Sequence, residues 1–127
     1  MPIPTRVLAA GNSPLSTIGI CGDGDTGLVA VGTNQATALQ LSAVINAITT
    51  SSSGTGVKLP PCEEGAVVYI YNLSSQTLKV YTKETTGVTI NAAVAGATGV
   101  SLGDTRLGIA VGTSATTWTV HYATTAA

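Results

Sequence analysis

From Thr26 to Val57 the chain carries no charged side chain, yet Thr, Asn, Gln and Ser break it too often for a bilayer helix. A run that is neither charged nor continuously apolar is restricted to packed, small-residue structure, and it sets the tone for the whole sequence. Only 11 of 127 residues are Asp, Glu, Lys or Arg, and the mean hydropathy is positive. Soluble monomers usually carry about 25% charged residues. Thr, Ala, Ser and Gly fill the deficit. Such a surface suits a chain that stays packed against neighbours, and points to a structural subunit.

Charge also excludes partners. The net charge is −1, and the basic residues Arg6, Lys58, Lys79, Lys83 and Arg106 are scattered without a patch, so neither nucleic acid nor an acidic membrane is expected as a partner. Met1-Pro-Ile-Pro4 lacks the basic-then-apolar order of a secretory signal. The core must be thin, because the chain has no Phe, one Met and one Trp. Val, Leu, Ile, Ala and Tyr bury less area per residue, at about 25 cal/mol per Å², so association with further copies is expected.

Strand patterning begins near Leu28. Leu28 and Ala30 alternate with Val29 and Val31, and Val57 and Leu59 flank Lys58 before Pro60-Pro61. Ala66 to Tyr71 is a continuous β-branched and aromatic run, the pattern of a strand buried on both faces. With Asn72-Leu-Ser-Ser75 as a turn and Thr77 to Thr82 returning, it predicts a hairpin. Val88 to Asn91, Gly99 to Leu102, Leu107 to Val111 and Trp118 to Tyr122 predict further short strands. Ala36 to Ile48 mixes helical spacing with Thr-rich ends, and is read as two strands with a bend near Ala43. The fold class predicted is all-β, a compact antiparallel sandwich or barrel over residues 27–127. Residues 1–26, rich in Pro and Gly, read as an extended arm or as an untidy first edge strand.

Candidate chemistry is sparse. Gly99-Val-Ser-Leu-Gly103 matches the nucleophile-elbow spacing, with Asp104 and His121 following. That motif works only on a strand-to-helix turn, and no helix is predicted there. Asp23 and Asp25 form a two-carboxylate turn, short of the oxygens calcium needs. Cys21 and Cys62 fit no metal spacing, leaving buried thiols or a disulfide. Asn72-Leu-Ser74 is a formal glycosylation sequon, read instead as a turn. Trp118 and the four Tyr are candidates either for a sugar-stacking platform or for the core. No catalytic residue, metal or cofactor is expected.

In order along the chain, Gly27-Leu-Val-Ala-Val-Gly-Thr-Asn-Gln-Ala-Thr-Ala-Leu-Gln-Leu41, Gly54-Thr-Gly-Val-Lys-Leu-Pro60, Val68-Tyr-Ile-Tyr-Asn72, Leu78-Lys-Val-Tyr81, Thr89-Ile-Asn91 and Trp118 resemble capsid decoration (cement) and head-fibre proteins of tailed bacteriophages. The resemblance covers roughly residues 27 to 122. It implies a β-rich, non-enzymatic virion protein, assembled in the host cytoplasm and seated on the capsid surface as a homotrimer, with the major capsid protein as partner. Leu39, Leu41, Val44, Ile48, Tyr69 and Tyr71 are the expected interface between copies. The arm lies outside the match. Its apolar content suggests capsid contact through Ile3, Arg6, Val7, Leu8, Leu15 and Ile18. The alternative function is a receptor- or carbohydrate-binding fibre module built on the aromatics.

Overall fold

Connections of about four to nine residues between the first six strands decide the architecture. They are too long for two-residue hairpins and too short for helical crossovers within one sheet. The computed structural model describes residues 22–124 and, before them, 6, 8–11 and 13–16. Six strands come first: β1 (Gly24–Val29), β2 (Leu39–Gln40), β3 (Ile45–Thr50), β4 (Gly56–Lys58), β5 (Val67–Asn72) and β6 (Leu78–Tyr81). The odd strands pair in parallel in one sheet, β1 with β3 and β3 with β5. The even strands pair in parallel in a second, β2 with β4 and β4 with β6. The chain therefore winds between two sheets for three turns, as in a short solenoid, where each turn buries its face against the next.

The remaining strands are β7 (Thr89–Ile90), β8 (Val94–Ala95), β9 (Val100–Leu102), β10 (Arg106–Ser114) and β11 (Thr117–Thr124). β9 joins β6, and β10 joins β5, both antiparallel. β10 and β11 form the long hairpin of the molecule. The result is a seven-stranded sheet, β1-β3-β5-β10-β11-β7-β8, and a four-stranded sheet, β2-β4-β6-β9.

All-β character is as expected, but the sheets are mixed rather than antiparallel. Asn72-Leu-Ser-Ser75 does not close a hairpin either. It carries the chain from β5 in the large sheet to β6 in the small one. Period-2 patterning is the same for parallel and antiparallel strands, so sequence alone could not separate them. Ala36 to Ile48 does divide into two strands, β2 and β3, with the break at 41–44.

The sheets close on one core containing Ile48, Val68, Ile70, Ile90, Ala110 and Trp118 from the large sheet, and Val57, Leu78, Val80 and Leu102 from the small one. A Phe-free core fills because β10 turns Gly108, Ala110 and Gly112 inward. A Cβ on Gly108 would sit 3.2 Å from Leu102 Cδ2, so the bare backbone lets the opposite sheet close in. Trp118, fully buried, pairs with Gly112, and its ring supplies volume the small residues lack.

Polar side chains lock the turns. Asn72, fully buried, donates from Nδ2 to the carbonyls of Gln76 (2.8 Å), Gly103 (3.0 Å) and Leu102 (3.3 Å). Its Oδ1 accepts from Ser74 N–H (3.1 Å) and Ser74 Oγ (2.6 Å). It thus ties the last solenoid turn to the β9–β10 connection. Gln35 Nε2 similarly donates to the Thr82 carbonyl (2.8 Å) and the Glu84 carbonyl (2.7 Å), holding the β1–β2 loop against the chain after β6.

Two short stretches before β1 are helical rather than extended. Arg6, Leu8 and Ala9 are helical, with Ala10 N–H donating to Arg6 O at 3.0 Å. Pro14-Leu15-Ser16 makes a second helical turn, where Ser13 Oγ accepts from Ser16 N–H at 3.1 Å. Ser at the N-cap and Pro at the first helical position favour such a turn. β1 begins at Gly24, inside the stretch assigned to the arm.

Candidate functional site

The sheet register sets which side chains leave the molecule. On β5, Val68, Ile70 and Asn72 point inward, so Val67, Tyr69 and Tyr71 point out and are half-buried. Antiparallel pairing aligns them with Val111, Ile109 and Leu107 of β10. Parallel pairing aligns Tyr69 with Ile45 and Tyr71 with Ala47 of β3. Ile45 is 53% exposed. On the other side His121 and Thr119 of β11 face Ile109 and Val111. Across β3, β5 and β10 the outer face is therefore Ile, Ala, Val, Tyr and Leu with marginal Thr, and no Asp, Glu, Lys or Arg stands on it. This is an apolar surface that can bind by area.

The residues expected between copies divide. Tyr69 and Tyr71 lie on this face, and Leu39 and Val44 are half-buried elsewhere. Leu41 and Ile48 are core residues at 2% and 0% exposure, closed to any partner. Their apolar character signalled burial, and the structure satisfies it within one chain. Ile45, Val67, Leu107, Ile109 and Val111 were missed as surface residues. β3 explains why: it turns the polar Asn46 inward, where Nδ2 bonds the Ala43 carbonyl at 2.8 Å, and so turns the apolar Ile45 out. Of the arm residues, Leu8 and Leu15 are 43% and 80% exposed and Arg6 is exposed. Ile3, Val7 and Ile18 lie outside the described residues, as does Cys21.

The hydrolase-like triplet is not assembled. Leu102 of β9 is buried, so Ser101 points out of the small sheet, opposite Lys79. His121 points out of the large sheet. The two stand on opposite outer faces of the sandwich, and Asp104 is exposed on the β9–β10 turn. Asp23 spends Oδ1 on the Val44 N–H (3.0 Å), a structural bond, while Asp25 lies exposed in β1. Among the described residues no three His, Cys, Asp or Glu side chains are grouped as metal ligands. The Asn72 sequon is a buried turn lock, inaccessible to modification.

Cys62 is a free, half-buried thiol. Its Sγ lies 3.4 Å from the Ser114 carbonyl, and its N–H donates to Glu84 Oε1 at 2.9 Å. Burial pushes the thiol pKa up, and the Glu84 carboxylate pushes it further. Both effects disfavour the reactive thiolate.

The aromatics do not form one platform. Trp118 and Tyr81 are buried. Tyr81 is covered although its strand position faces outward, because its ring lies over Gly56 and Gly99. A Cβ on either would fall within 2.8 Å of it. Tyr69 and Tyr71 belong to the outer face of the large sheet. Tyr122, 59% exposed, stands apart with the Arg106 guanidinium 4.7 Å from its ring centroid. Comparison with protein-family models, with curated proteins and with solved structures found no match.

Proposed function

We propose that this chain is a structural virion protein, a decoration or cement protein that binds the outside of a bacteriophage capsid and stabilises it. Its partners in this reading are its own copies, as a homotrimer, and the major capsid protein. The ordered resemblance of residues 27 to 122 to such proteins supplies the phage context. The observation that carries the reading is the charge-free outer face of the large sheet, Ile45, Val67, Tyr69, Tyr71, Leu107, Ile109 and Val111. Contact through it removes apolar area from water without stripping water from an ion. Repetition over a lattice multiplies weak contacts. The mechanism is area, with no bond made or broken.

The test is binding of purified protein to capsids stripped of it, read by co-sedimentation and by the temperature at which the shell opens. Saturable binding that raises this temperature supports the proposal, and its absence refutes it. Tyr122 with Arg106 favours one second reading, a carbohydrate-binding fibre module, because an exposed ring stacks on the apolar face of a sugar. In that case Tyr122→Ala abolishes binding to cell-surface glycans and leaves capsid binding intact.

A further inference from the structure

Among the described residues, two sets of apolar side chains are open at once. One is the outer face of the large sheet. The other is the pair Leu8 and Leu15, with Leu15 80% exposed. The segment bearing them joins the domain at Gly22, where a Cβ would lie 3.3 Å from Val44 Cβ. Val44 immediately precedes Ile45, the most exposed large apolar side chain of the face. We infer that Leu8 and Leu15 of one copy seat on the outer face of β3, β5 and β10 of a second copy, against Ile45, Tyr69 and Ile109.

Charge fits this occupant. Before Asp23 the only charged side chain is Arg6, and the face carries none, so nothing ionic is buried when they meet. Length fits as well. Six residues lie between Leu15 and Gly22, and the seven steps reach up to about 25 Å when extended. Three strands spaced about 4.8 Å apart are narrower than that. The chain's own face is within reach too, but a single copy leaves Leu15 in solvent, so the occupant is taken from a neighbour. Such a contact joins two different patches. Heterologous contacts form a ring when the rotation between copies closes, and an open filament when it does not, whereas face-to-face stacking of the two sheets would be two-fold and give pairs. The inference rests on the self-association reading and names its contact. It gives the exposed leucines a different mate from the capsid.

The experiment uses the full-length protein with Cys21 and Cys62 replaced by Ser, after its melting temperature is shown to match the parent. Leu15→Cys and Ile109→Cys are placed on separately tagged copies, co-expressed and oxidised. The expected result is a two-chain cross-link carrying both tags, absent when either variant is expressed alone. No mixed cross-link overturns the inference. So does a Leu15→Cys/Ile109→Cys double variant that closes only within its own chain. Light scattering on Leu8→Ser/Leu15→Ser separates the inference from the broader reading. Dissociation of an oligomer to folded monomers is expected. A variant that stays oligomeric overturns the contact and leaves self-association standing, while a monomeric parent overturns both.

Discussion

Replacing Asn72 with Asp changes one amide nitrogen to oxygen at almost constant size, so its cost isolates the turn lock. In the native chain Nδ2 faces three carbonyls, at 2.8, 3.0 and 3.3 Å. After substitution an oxygen faces them. Two good hydrogen bonds are lost, at about 1 kcal/mol each. The new carboxyl keeps the Ser74 donors but is buried without a cation, which adds about 2 kcal/mol or more at pH 7. The sum is about 4 kcal/mol, or roughly 15 °C in melting temperature for a domain of this size. Burial and the facing carbonyls raise the folded-state pKa of the new carboxyl above its unfolded value of about 3.9. The folded state then binds more protons than the unfolded. The charge penalty is absent below about pH 3.9 and grows as pH rises. Urea unfolding of variant and parent at pH 7 and pH 4 is therefore expected to show a gap that narrows by about half at pH 4. A gap under about 1 kcal/mol at pH 7, or one identical at both pH values, refutes the assignment of Asn72 as a buried donor.

Trp118→Ala should cost about 3–5 kcal/mol by urea unfolding, because the fully buried ring leaves a cavity facing Gly112 that small neighbours cannot refill. Thr105 is β-branched at φ +55° in the β9–β10 turn, so Thr105→Gly should stabilise by about 1 kcal/mol, visible as a raised melting temperature. Cys62, with its pKa raised by burial and then by Glu84, should react with iodoacetamide at pH 7.5 far more slowly than in urea. A thiol whose folded pKa is raised contributes stability that is full below its ordinary value of 9.0 and is lost as pH rises beyond it. Ser101→Ala should leave folding and capsid binding unchanged in the same assays, since Ser101 is exposed on the small sheet, away from the apolar face.

Much of the β architecture was legible in the chain. Ala66 to Tyr71 is so continuously β-branched and aromatic that a strand was inescapable, and the Thr-rich ends of Ala36 to Ile48 gave the correct division into β2 and β3. The scarcity of charge and the missing Phe set a small-residue core and a neutral surface. Strand partners were not legible, because β5 and β6 pattern alike whether they pair with each other or join different sheets. Loop lengths and the Asn72 lock decide this, by carrying the chain across the sandwich. The direction of Ile45 was also decided in three dimensions. An apolar residue beside a polar one is expected to point inward, but Asn46 is needed inside to hold the Ala43 carbonyl, and alternation then puts Ile45 out. Composition thus determined what kind of surface this protein has. Register alone, which turns every second side chain over, decided that the surface gathers on one face of one sheet.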